Sequence, residues 1–128
     1  MNASRRLPDE VLNVLKTSKG IRVRAGTSKH RFIGIWFVMI AGRIFARSWS
    51  VKPDGWYHTF LKKRGGAIQV AKTEIAVRVV RTRSKSLKDT VDRAYLEKYT
   101  SGGEVKYAKD LITEKSRATT VEFVPYRK

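Results

Sequence analysis

Residues 32–41 read FIGIWFVMIA, ten positions rich in β-branched and aromatic side chains, with no polar residue at helical spacing. That composition predicts a strand, and the absence of alternation predicts that both of its faces are covered. Gly42 then permits a tight turn, so residues 44–50, IFARSWS, return as the second arm of a hairpin. Along this arm Phe45, Arg47 and Trp49 point one way, and Ile44, Ala46, Ser48 and Ser50 the other.

Upstream, Ile21, Val23 and Ala25 alternate with Arg22 and Arg24, a strand with one buried and one cationic face. Before it, Pro8 suits the start of a short helix, Asp9 and Glu10 favour its first turn, and Val11, Leu12 and Leu15 form its apolar face. Gly20 ends that segment. Downstream, WYHTFLKK at residues 56–63 has helical spacing, with Asp54 as a plausible cap. Gly65-Gly66 opens a second hairpin over residues 67–70 and 74–83. Ser86 and Asp89 resemble a capping box for a helix running to about Tyr99. A further helix is expected near residues 104–115, and residues 119–124 form a last strand that needs a partner. The total is an α+β fold with an antiparallel sheet or small barrel.

The 128 residues suit a single domain, with residues 1–20 as an N-terminal helical extension. Hydrophobic residues make up 41%, enough for a packed core. Lys and Arg number 28 against 11 Asp and Glu, so the net charge is +17 and the expected ligands are anions. With no cysteine, disulfides, thiol catalysis and Cys-zinc sites are excluded, and two histidines predict no metal site. The ten-residue apolar run is half of the roughly 20 residues that a spanning helix needs. A soluble, cytoplasmic protein without membrane insertion is expected.

No nucleophile elbow, P-loop, zinc motif or dinucleotide fingerprint occurs, so any reactivity would come from a cofactor. The richest stretch is residues 47–58, RSWSVKPDGWYH, which joins two cations, two hydroxyls and three aromatic rings near a strand end and a helix start. Arginine and hydroxyl donors hold phosphate, and rings stack on planar ligands. Read plainly, Trp49, Trp56 and Tyr57 are equally core aromatics and Arg47 a surface cation. Lys29, His30 and Arg31 follow Gly26-Thr27-Ser28 as a phosphate loop or as a basic turn.

Residues 23–81, VRAGTSKHRFIGIWFVMIAGRIFARSWSVKPDGWYHTFLKKRGGAIQVAKTEIAVRVVR, with DRAYLEKY and KSRATTVEFVP, resemble a family of small bacterial proteins in the flavin-binding split β-barrel superfamily. A weaker similarity links Trp56-Tyr57-His58 and the hairpin beyond it to deazaflavin-dependent nitroreductases. The resemblance implies a six-stranded split barrel with flanking helices, often dimeric, that binds FMN or a deazaflavin and acts as an oxidoreductase. It places Arg47, Ser48, Trp49 and Ser50 at the cofactor, and Lys29 and Arg31 at its phosphate. It sets Trp49 and Trp56 against the ring and Tyr57 on the substrate side, as a catalytic residue. The nitroreductase phosphate loop is only loosely echoed by Gly26-Thr27-Ser28-Lys29-His30, and Phe32 and Trp36 are bulkier than that pattern. Two other readings stand beside it: a basic protein that binds nucleic acid without catalysis, and a barrel holding haem, another anionic ligand or none.

Overall fold

The computed structural model describes residues 7–26, 32–48 and 55–125. The elements run α1 (Asp9–Thr17), β1 (Gly20–Ala25), β2 (Ile33–Trp36), β3 (Val38–Ile40), β4 (Arg43–Ala46), α2 (Trp56–Lys63), β5 (Gly65–Val70), β6 (Thr73–Arg81), α3 (Lys85–Lys98), α4 (Gly102–Asp110), α5 (Glu114–Arg117) and β7 (Val121–Pro125). All strand pairs are antiparallel, in the order β2-β1-β5-β6-β7-β4-β3.

Seven strands replace the expected six because the 32–41 strand is interrupted at Phe37. Its first half pairs with β1 and its second with β4, so the two edges of the sheet are one residue apart in the chain. The sheet therefore curls into a nearly closed barrel. The β3–β4 turn has Ala41 and Gly42 at φ 53° and 77°, the left-handed pair that a two-residue hairpin of this twist requires. Where β1 runs along β5, a Cβ on Gly66 would lie 2.0 Å from the Arg24 carbonyl oxygen, so only glycine permits that approach.

The alternation read along residues 44–47 divides the core in two. Ile44 and Ala46 join Val23, Phe37, Ile68, Val77 and Phe123 in one cluster, closed by Phe60 of α2 and Leu15 of α1. Phe45 packs the other way, with Val38 against Val91 and Tyr95 of α3, Tyr99 at its C-cap, and Ala108 and Leu111. The last strand, β7, finds partners on both sides, β6 and β4.

Helix boundaries depart from expectation in three places, the first being α2, whose N-cap is Gly55 and not Asp54. Ser84, not Ser86, caps α3, accepting the Leu87 N–H at 3.2 Å, and a capping box instead opens α4, where Glu104 accepts the Ser101 N–H at 3.2 Å. The expected 104–115 helix divides at the buried Leu111, and Thr113 caps the short α5. Among the described residues, no helix is long and apolar enough to cross a membrane.

Candidate functional site

The ladder between β3 and β4 pairs Ile40 with Arg43, Met39 with Ile44 and Val38 with Phe45. Continued, this register would pair Trp36 with Arg47 and Ile35 with Ser48. The ladder stops instead, and the two strands part at Phe37. A cavity of about 170 Å³ occupies the split, with Ile33, Gly34, Ile35 and Trp36 along one side and Arg47 and Ser48 along the other. Trp56 from α2 and Leu111 from the end of α4 complete its lining.

Separating two strands leaves buried backbone groups that need partners. Helix α3 supplies them. The Tyr95 hydroxyl accepts the Arg47 N–H at 3.2 Å and donates to the Trp36 carbonyl at 3.3 Å, standing where a direct ladder bond would be. The Tyr99 hydroxyl accepts the Phe37 N–H at 3.2 Å and donates to the Lys19 carbonyl. Lys98 Nζ donates to the Phe37 carbonyl at 2.9 Å. The Trp36 ring is fixed by parallel stacking on Tyr99, with centroids 3.9 Å apart and an interplanar angle of 2°. Burial is the main cause that pushes both the Tyr95 and Tyr99 phenols well above their ordinary range, which keeps each hydroxyl a donor.

Arg47, expected at the phosphate, is 3% exposed and engaged within the protein. Its Nε donates to Thr120 Oγ1 at 2.8 Å, Nη1 to the Leu111 carbonyl at 2.8 Å and to Asp92, and Nη2 to the Lys88 carbonyl at 2.9 Å. One N–H of its five remains. Burial pulls its pKa below the ordinary value, and Asp92 opposes that shift. Asp92 also pairs with Arg117, which reaches Asp89 at 3.0 Å. Ser48 donates its backbone N–H to Thr119 Oγ1 at 2.8 Å, and its carbonyl accepts from Ser116 Oγ at 2.9 Å. The end of β4 is thus strapped to the segment before β7, and the wall of the split is held rigid.

Of the expected site residues, Arg47, Ser48 and Trp56 meet on the one cavity. Trp56 packs between Phe60 and Phe123, centroids 6.1 and 6.0 Å away. Tyr57 lies outside the lining; it is buried, with its hydroxyl 3.5 Å from the Ala118 carbonyl. Lys29, Arg31, Trp49 and Ser50 lie outside the described residues. Trp36, Leu111 and Tyr95 are the contributors that sequence reasoning did not assign to the site. Trp36 carried a signal, the largest ring in a strand of mostly aliphatic and Phe residues and bulkier than the resembled pattern. Leu111 and Tyr95 carried none beyond their apolar helix faces. Ligand pockets run to roughly 300–1,000 Å³, so the split admits the edge of a planar ring rather than a whole nucleotide cofactor. Among the described residues, no cluster of His, Cys, Asp and Glu could hold a metal ion.

Comparison with known proteins gives a family and a fold. The family model described as "Uncharacterized protein conserved in bacteria (DUF2255)" matches residues 12–123. No protein of curated function matches. A solved structure of a candidate pyridoxamine 5′-phosphate oxidase from Listeria innocua is similar, with a TM-score of 0.64 at 11% identity, covering 93% of each chain. A conserved hypothetical protein of Mycobacterium tuberculosis has a TM-score of 0.61 at 13% identity, covering 100% of this chain and 86% of its own. A candidate 5-nitroimidazole antibiotic resistance protein from Bacteroides thetaiotaomicron has a TM-score of 0.59 at 10% identity, covering 95% of this chain and 81% of that one. These neighbours share the split-barrel architecture.

Proposed function

This chain belongs to the DUF2255 family of proteins conserved in bacteria, and from that premise we propose that it is a flavin-binding split-barrel protein of the oxidoreductase type. The observation that carries the reading is the split itself: an apolar slot between separated strands, with Trp36 and Trp56 on its lining and the polar end of β4 beside them. A similarly folded neighbour described as a candidate pyridoxamine 5′-phosphate oxidase supports the same class of ligand.

In this reading Trp36 and Trp56 flank the edge of the isoalloxazine ring, and Trp49 adds a further wall. Ser48 and the remaining Arg47 N–H orient the ring, while Lys29, Arg31 and Ser50 take the phosphate. Tyr57 stays in the proposal only as the expected substrate-side residue; it lies outside this cavity's lining, buried, with its hydroxyl 3.5 Å from the Ala118 carbonyl, so a catalytic part needs substrate to reach it from beyond the slot. FMN, or a deazaflavin in its place, supplies hydride transfer when bound; the protein positions it and excludes water. The homodimer implied by the resemblance belongs to the same proposal.

Titration of the purified protein with FMN and with a deazaflavin, followed by fluorescence quenching, tests the reading. Saturable micromolar binding is expected, weakened at least tenfold by Trp56→Leu and by paired Lys29→Ala and Arg31→Ala replacement. Binding of neither cofactor overturns it, and salt-sensitive retention of DNA under the same conditions would assign the positive charge to nucleic acid instead.

A further inference from the structure

A concavity of about 260 Å³ opens between the segment after β6, the first turn of α3 and the end of α5, and shares no lining residue with the split. Arg83, Lys85, Lys88 and Arg117 line it, against one carboxylate, Glu114. Arg117 is engaged within the protein: its guanidinium pairs with Asp92 and reaches Asp89 at 3.0 Å. Arg83, Lys85 and Lys88 form no ion pair with any described carboxylate. Three cations therefore face Glu114 alone, and the concavity keeps an excess of two positive charges.

Local folding does not call for this arrangement. Helix α3 has no acidic residue in its first turn, and Lys85 and Lys88 stand there instead, where the helix dipole disfavours cations. Like charges gathered on one concavity also repel one another. The walls are nonetheless fixed. The Thr82 N–H donates to the Thr120 carbonyl at 3.0 Å, Arg81 pairs with Val121 in the β6–β7 ladder, and Ser84 accepts the Leu87 N–H at 3.2 Å. Cations converging from three segments on one fixed concavity suit a compact anion with more than one charge. A phosphate group at neutral pH carries about two negative charges and accepts from guanidinium and ammonium donors on several oxygens. The volume falls below the roughly 300–1,000 Å³ of pockets that enclose whole small molecules, so it fits a phosphate end rather than an entire nucleotide.

We propose that this concavity binds a multiply charged phosphate group of the diphosphate class, with Arg83 and Lys85 as its main ligands, Lys88 beside them and Arg117 as a fixed wall. The group is either free pyrophosphate or the exposed end of a larger molecule. The site is independent of the flavin reading. Arg83 and Lys85 are exposed and line no part of the split, and Lys88 meets Arg47 only through its backbone carbonyl.

Calorimetric titration of the full chain with pyrophosphate, at about 50 mM salt to limit screening, is expected to show one saturable site. Paired Arg83→Gln and Lys85→Gln replacement should weaken it at least tenfold. Paired Lys62→Gln and Lys72→Gln replacement removes the same charge from exposed positions outside the concavity and should change the affinity by less than about twofold. FMN affinity should be the same in both paired variants and insensitive to pyrophosphate. ADP in place of pyrophosphate distinguishes the two sources: tighter binding assigns the group to a nucleotide, weaker binding to the free anion. No pyrophosphate binding, equal losses in the two paired variants, or displacement of FMN by pyrophosphate would each overturn the proposal, and equal losses would leave net charge as the attraction.

Discussion

Trp36 and Arg47 face each other across the split of the barrel without a bond between them, because the Tyr95 hydroxyl stands between the Trp36 carbonyl, at 3.3 Å, and the Arg47 N–H, at 3.2 Å. A strand pair would bond these two groups directly. One phenol on α3 therefore satisfies the backbone and keeps the strands apart. The cavity exists because of that insertion, so Tyr95 positions the site from outside it.

Replacing Tyr95 with Phe leaves two buried backbone groups without their partner, at a cost of about 1–3 kcal/mol. Urea unfolding of Tyr95→Phe should show the lower midpoint with an unchanged slope. Amide exchange at Arg47 should accelerate, since its N–H loses its acceptor. A wild-type midpoint together with wild-type exchange at Arg47 would show that the hydroxyl carries neither bond.

Arg47 makes a different prediction, because its guanidinium joins β4, α3, Leu111 and Thr120. Truncation to Ala leaves Asp92 with Arg117 alone and takes a donor from the Leu111 carbonyl and from Thr120, so stability should fall by about 1–3 kcal/mol. Lys offers one compact ammonium in place of a fork with fixed directions and should recover little of this. Thermal unfolding of both variants is the measurement; FMN affinity is meaningful only below their transitions. Wild-type melting of Arg47→Ala would release the residue from its structural task and leave it free for a ligand.

These relationships show what the sequence carried and what it could not. The 32–41 run read as a strand from its β-branched and aromatic residues, but the expected cover on both faces fails in its first half, where Ile33 and Gly34 of the edge strand β2 are exposed. Its break at Phe37 was not legible, because Trp36, Phe37 and Val38 are apolar alike and no Gly or Pro marks the point. The break is set by hydroxyls 59 and 62 positions away, on a helix whose pattern shows only an apolar stripe. Alternation along β4 correctly put Phe45 and Arg47 on one face. The partners of Arg47 stayed hidden: Asp92 is 45 positions away and Thr120 73, and spacing does not reveal such contacts. The cap is Ser84 and not Ser86 because α3 starts earlier than expected, at Lys85, which puts Ser86 inside its first turn.

Alkaline pH should destabilise the protein with a defined sign. Burial holds the Tyr95 and Tyr99 phenols above the ordinary tyrosine value of about 10, so the folded state keeps protons that the unfolded chain releases. Their contribution is complete below about pH 10 and declines as pH rises, by about 1.4 kcal/mol per unit for each phenol. Lys98 acts in reverse. Its pKa of about 8 lies under the ordinary value of about 10.4, so its burial penalty fades as pH rises through that interval. Stability followed from pH 7 to 11.5 should rise gently and then fall. Tyr95→Phe should roughly halve the alkaline slope, and Lys98→Met should remove the rise; a flat profile would contradict both assignments.

Arg43 and Glu122 should prove unequal when each is removed. Arg43 donates from Nε and Nη2 to the two Glu122 carboxylate oxygens at 2.8 and 2.7 Å, and its pKa is raised chiefly by that bond. The Glu122 side chain is 3% exposed and that of Arg43 34%. Removing Arg43 takes the two-pronged guanidinium from a carboxylate buried between β4 and β6 that keeps its other contacts, a loss of about 1.5–3 kcal/mol. Glu122→Gln retains an acceptor for one N–H and leaves a cation that water can reach, so its cost should stay near 1–2 kcal/mol. Urea unfolding of Arg43→Ala and Glu122→Gln therefore reads which partner the fold cannot leave alone. Equal losses, or a larger one for Glu122→Gln, would mean that the carboxylate is held mainly by other groups and that Arg43 only covers it.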